Sequence, residues 1–262
     1  MADDFRLPAG TAPAPLVPEL EAYLASPDPA RRDVVAYEVL DHWIGKGVLA
    51  DAEVRALAER LVGNLRGPLG APDGVFLRSF SALMLASIVA RDVATPVLGD
   101  AERRAILAAA RDYAHRETDL RGHTGVRGWA HAAAHTADLL AQLAKLPSFT
   151  DDDRAIMLDA VAGFIVRRHG EVLHHGEDGR LAVAVVAAAR GGIAQPALVA
   201  WLGSIKAPII ERFGPAFDAG RYAAQRNARN LLFTLFVQVS LMPAPSDGER
   251  RLLDSVRAVL VE

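Results

Sequence analysis

Apolar residues recur along this chain at intervals of three and four, as in Val54-Leu57-Leu61-Leu65 and Ile106-Ala109-Ala110-Tyr113. That is the period of a helix with one buried face, and no stretch alternates apolar with polar positions between hairpin turns. The pattern predicts helix throughout and essentially no sheet. Helix starts are legible in cap chemistry. Asp51-Ala-Glu-Val-Arg, Asp100-Ala-Glu-Arg-Arg, Asp151-Asp-Asp-Arg and Ser246-Asp-Gly-Glu-Arg each set a capping side chain and early carboxylates ahead of an apolar period, where they complement the helix dipole. The first three lie about fifty residues apart and the fourth about two such steps later, the length of a helical hairpin with its loops.

The expected fold is therefore all-α, an α/α superhelix of stacked helical hairpins (HEAT-like) forming one domain over residues 1–262. Outer helices are expected near 51–66, 100–117, 152–168 and 196–213, and partner helices near 74–92, 127–145, 179–190 and 221–241. Helices near 30–45 and 247–260 would cap the stack with polar outer faces. An irregular all-α bundle is the alternative. Pro8, Pro13, Pro15 and Pro18 mark residues 1–17 as a Pro-rich, poorly ordered N-terminal segment.

Composition supports one large core: 262 residues with 51% hydrophobic content bury enough surface to fold without staples. The absence of cysteine removes disulfides, thiolate zinc sites, iron–sulfur clusters and cysteine nucleophiles, and fits a reducing, cytoplasmic setting. The acidic opening Met-Ala-Asp-Asp does not resemble a secretory signal. The longest clean apolar run, Leu181 to Ala189, is roughly half a membrane span. With 29 Lys+Arg against 32 Asp+Glu and 6% aromatics, neither nucleic acid nor membrane is an expected partner.

The residues that helix packing does not ask for lie between Asp119 and Asp138. A glycine-punctuated loop carrying Arg121 and Arg127 leads into a helix on which His131, His135, Asp138 and Gln142 share an arc of about 60° at 100° per residue, with Arg127 and Lys145 at its edge. A solvated amphipathic face has the same layout. Two imidazoles and a short carboxylate among Ala130, Ala134 and Ala141 also suit a ligand pocket, in which Asp138 fixes a histidine tautomer. A third use is a metal site with His131, His135 and Asp138 as ligands to zinc, iron or nickel. Ala132 stands where a metalloprotease needs Glu, so that chemistry is not supported. Without a metal, the same groups can act as a general base and its orienting carboxylate.

Other polar residues gather near the starts of the partner helices: Arg78, Ser79 and Ser81; Glu177, Asp178 and Arg180; Arg226, Asn227 and Asn230. In a superhelix these ends align along one rim, where free N–H groups favour an anion. Taken singly, each reads as a cap or a surface ion-pair donor. His169, His174 and His175 form a second group, and stacking of the next pair on the Trp129 helix would bring His174 or His175 to the site. Asp41, His42 and His115 receive no role. No P-loop, Rossmann fingerprint or nucleophile elbow occurs.

Arg78-Ser-Phe-Ser-Ala-Leu, Asp119-Leu-Arg-Gly, Gly128-Trp-Ala-His-x-x-x-His-x-x-Asp, Glu177-Asp-Gly-Arg-Leu and Asn227-x-x-Asn-Leu together resemble a bacterial domain-of-unknown-function family, DUF2785, from about Leu20 to about Met242. The resemblance implies an all-helical protein of helical-repeat type and carries over no activity. The leading expectation is a module binding a small anionic ligand or peptide segment through Arg78, Ser81, Asp119, Arg121, Trp129, His131, His135, Asp138, Asp178, Arg180, Arg226, Asn227 and Asn230. It requires no cofactor and leaves room for a divalent metal. The alternatives are a metal-dependent hydrolase on His131, His135 and Asp138, with Glu177 or Asp178 as base, and a protein-interaction scaffold without chemistry.

Overall fold

A computed structural model describes residues 5, 7 and 10–261. The chain is all-α, 70% helical with eleven α-helices packed on one another and no strand among the described residues. They are α1 (Val17–Tyr23), α2 (Glu38–Gly45), α3 (Asp51–Leu65), α4 (Gly74–Ala94), α5 (Asp100–Arg116), α6 (Ala132–Leu143), α7 (Asp151–Ile165), α8 (Glu177–Arg190), α9 (Gln195–Ile210), α10 (Ala219–Ser240) and α11 (Asp247–Val261). A π-helical stretch, Ala30–Tyr37, runs directly into α2. The expected segment 1–17 falls partly on residues 1–4, 6, 8 and 9, outside the described ones. In its described part Ala14–Leu16 form a 3-10 turn with Pro at an early position, and Pro18 sits in the first turn of α1, where its missing N–H costs nothing.

The starts follow from local chemistry, with one shift. Asp51 and Asp100 are the first helical residues, and the caps are Ala50 and Gly99, whose N–H groups donate to Glu53 Oε2 (2.7 Å) and Glu102 Oε2 (2.6 Å). Full reciprocal boxes form at Thr150 with Asp153 and at Ser246 with Glu249, satisfying two orphan donors each.

Consecutive helices pair as α3–α4, α5–α6, α7–α8 and α9–α10. The pairs stack in two layers: α3, α5, α7 and α9 contact in series, as do α4, α6, α8 and α10. The core lies between the layers, with Leu57, Phe76, Met84, Tyr113, Leu140, Phe164 and Val185 all at 1% exposure or less. Alanines at 132, 133, 134 and 137 are buried on α6, and their small volume lets the inner helices approach closely on both sides. The helix α4 is long and apolar enough to cross a membrane, but 67% of that window is buried inside the protein, which makes it the central core helix. The last helix, α11, buries Leu252 and Val256 against α8, α9 and α10 and exposes Arg250, Arg251, Asp254 and Arg257.

Candidate functional site

The loop from Glu117 to His131 is built by internal pairing. His131 N–H donates to Arg121 O (3.0 Å), Ala130 N–H to Gly122 O (2.9 Å), and both Thr124 N–H and Oγ1 to Gly128 O (2.8 Å each). This closes a small hairpin with one bridge, His123 to Trp129, and Val126 exposed at its tip. Gly128 holds φ +71°, and a Cβ there would press on Arg32 and Pro29, so only glycine lets the hairpin seat against the N-terminal helices. Arg32 is fully buried, stacks over Phe76 and Phe80 at 4.3 and 4.7 Å, and donates to Arg127 O (2.9 Å).

The base of the loop is held by Glu117, which is fully buried. It receives Arg78 Nε (2.7 Å) and Nη2 (3.1 Å), and the N–H groups of Thr118 and Asp119 (2.9 Å each). Sequence reasoning missed both Arg32 and Glu117, since each gains its meaning from partners far along the chain.

At the loop's end His131 corrects the expected helix. Helix α6 begins at Ala132, and His131 is its N-cap in the left-handed region at φ 50°, a conformation that polar residues such as His tolerate better than β-branched ones. His135 N–H still donates to His131 O (2.9 Å), so the two rings stack at 5.7 Å. They are 9% and 8% exposed, which overturns the solvated-face reading for both. Ser79 Oγ–H donates to the Ala130 carbonyl, so the oxygen accepts from His135 Nδ1–H (2.7 Å). The tautomer is thereby fixed by Ser79 and not by Asp138. Burial, reinforced by His131 and Arg180, pushes His135 down to about 3. His131 is also lowered by burial, with Glu177 opposing.

Trp129, 41% exposed, is ringed edge-on by His131 (4.2 Å), His123 (4.7 Å) and His175 (5.8 Å). His175 reaches the site because Gly122 carries no side chain: a Cβ there would collide with the imidazole. His174 packs on His175 at 4.1 Å and is exposed, whereas His169 is half-buried elsewhere. Among the described residues no group of three or more His, Asp or Glu side chains is placed to hold a metal ion. Asp138 pairs with Arg180, Asp178 accepts from Thr234 Oγ1 (2.7 Å), and Glu177 accepts the His175 N–H (2.7 Å). The carboxylates considered as ligand or base are thus engaged.

The expected arginine rim is neutralised from within. Arg78 is spent on Glu117, Arg121 on Asp119 (2.6 Å), Arg127 on Asp73 (2.6 Å) and Arg180 on Asp138. Ser81 Oγ accepts from Asn64 Nδ2 (3.2 Å), tying α3 to α4. Asn227 clamps the loop before α8 through Leu173 N–H (2.9 Å) and Glu171 O (3.1 Å). Arg226 lies in the first half of α10 and Asn230 at its middle, and α10 packs mainly on α8, α9 and α11.

Below the imidazoles the inner face opens into a groove of about 540 Å³. Its apolar lining is Ala86, Ala90, Ala141 and Ala187 with Leu83, Val183, Val186 and Met242, and its polar lining is Tyr37, Asp41, Ser87, Asp138, Gln142, Lys145, Arg190 and Gln238. Burial raises the Asp138 carboxyl against the opposing pull of Arg180, and raises the Tyr37 phenol, with Asp41 adding to it. Arg190 is engaged by Glu249 (2.6 Å). Lys145 Nζ donates to Gln142 Oε1 (2.9 Å), and among the described residues no carboxylate lies within ion-pair distance of it. Sequence periodicity placed Asp138, Gln142 and Lys145 on one face but had no signal for Tyr37, Asp41 or Ser87 opposite. No curated protein and no solved structure matches the chain. The model of one family does, over residues 61–237, the span that holds the loop, the imidazoles and most of the groove, and the chain accordingly belongs to that family, described as protein of unknown function (DUF2785).

Proposed function

We propose that the chain is a ligand-binding module in which helical pairs stack as a HEAT-like α/α superhelix and the inner helices cradle a small anionic ligand or peptide segment. The observation that carries this reading is the groove with Lys145 on its wall. Its volume falls within the range of about 300–1,000 Å³ common to small-molecule sites, and four alanines among its apolar lining residues leave room between the helices. The anion-binding charge shifts from the rim, where each arginine of the loop and α8 already has a carboxylate, to Lys145, which among the described residues has no carboxylate within ion-pair distance.

The experiment is a thermal-shift screen of small dicarboxylates, phosphate and short acidic peptides. Binding to the folded state raises the melting temperature by mass action. The Lys145→Ala variant loses the shift, and Arg121→Ala keeps it, because Arg121 is committed to Asp119 and to the Pro72 carbonyl. A silent panel, or a shift that survives Lys145→Ala, overturns the proposal.

A further inference from the structure

Lys145 is not alone in lacking a counterion. Asp41, on α2 across the groove, accepts a hydrogen bond from Ser87 Oγ (2.5 Å), and among the described residues no cation lies within ion-pair distance of it. The groove therefore holds an acidic and a basic side chain, Asp41 half-buried and Lys145 exposed, each bonded only to a neutral neighbour and not to each other, while Asp138 and Arg190 are matched by Arg180 and Glu249. Charges left unpaired on the walls of one concavity await complementary charges from a ligand.

We infer that the ligand is zwitterionic, a short peptide with both ends free, lying along the groove with its ammonium against Asp41 and its carboxylate against Lys145. This deepens the reading above and rests on it. The walls between the two charges suit a peptide backbone: Gln142 and Gln238 offer both amide donors and acceptors, and Tyr37 supplies a hydroxyl. Leu83, Val186 and Met242, beside the lining alanines, supply apolar contact for a side chain.

Equilibrium dialysis of the full chain with a mixed-sequence library of tri- to pentapeptides tests it. Three forms of the library are compared: free at both ends, N-acetylated and C-amidated. The free form is retained, and each blocked form binds more weakly, by up to about fivefold, as expected when one partner of a solvent-exposed charge pair is removed. In Asp41→Asn, which keeps an acceptor for Ser87, the free and acetylated libraries bind alike. In Lys145→Gln the free and amidated libraries bind alike. Retention of the acetylated library as strongly as the free one overturns the ammonium assignment while leaving an anion site intact. Failure of every library while dicarboxylates still shift the melting temperature overturns the peptide and spares the anion groove. Silence in both assays removes the groove reading itself.

Discussion

His135 shows how a residue chosen for its spacing acquires its chemistry from elsewhere. Spacing put it one turn from His131; Ser79, on another helix, fixes its proton on Nδ1, and Phe80 packs edge-on at 4.9 Å. The folded protein holds this imidazole neutral, down to about 3, whereas an unfolded chain titrates it near 6.5. Between those values the unfolded state takes up a proton that the folded state refuses. Stability therefore falls as the pH drops below about 6.5, by up to about 1.4 kcal/mol per unit, and is independent of this group above it. His131 and His169, lowered by burial as well, steepen the same limb. Urea unfolding from about pH 7.5 to about pH 5 measures the slope. In His135→Asn, whose amide can still donate to Ser79, the slope should be shallower by up to one proton's worth; an unchanged slope would mean that His135 is accessible to protons when folded.

At the scale of elements, helices were far more legible than the connection that makes the site. Helix starts came within a few residues because Asp51-x-Glu and Asp151-Asp-Asp are local signals, read within one turn of chain. The loop before α6 is set by non-local partners: Glu117 with Arg78 across 39 residues, Arg32 with Arg127 across 95, and Gly122 under His175. The expected helix 127–145 overran for that reason, since nothing local announces that Arg121 and His131 will pair across a hairpin. The Glu117–Arg78 pair fastens this connection, and both members are buried with all strong contacts made. Glu117→Gln leaves the guanidinium of Arg78 buried without its counter-charge, a loss of about 3–5 kcal/mol by analogy with other broken buried pairs. Because Trp43 and Trp201 are 3% and 6% exposed and Trp129 is 41% exposed, acrylamide quenching reads the loop selectively. The variant should quench more strongly at temperatures where it is still folded. Equal quenching at reduced stability would show that the hairpin stands without its clamp.

For the whole molecule, the groove follows from an asymmetry in the inner layer. The helices α4, α6 and α8 bury small residues against one another, and at the groove four alanines, Ala86, Ala90, Ala141 and Ala187, stand among the larger Leu83, Val183, Val186 and Met242, with Ala90 and Ala187 only half-buried. Sequence alone marked Ala141 as a neighbour of the polar stripe, gave no signal for Ala86, Ala90 or Ala187, and could not separate a groove lining from a helix contact, since both are small residues at helical spacing. The distinction is testable by adding volume. In Ala187→Leu the half-buried side chain grows into open space, so the overpacking penalty of about 1–3 kcal/mol seen in closed cores should not arise, and stability should change by less than about 1 kcal/mol. Retention of free peptides or small dicarboxylates should nevertheless drop sharply, because the new side chain occupies ligand volume. The same substitution at Ala137, fully buried on α6, is the counterpart: it should destabilise by the full overpacking amount. If Ala187→Leu proves as costly as Ala137→Leu, position 187 is a packing contact and the groove is narrower in solution than its walls suggest. If it is mild and binding persists, the ligand sits elsewhere on the inner face, and the Trp129 end becomes the place to look.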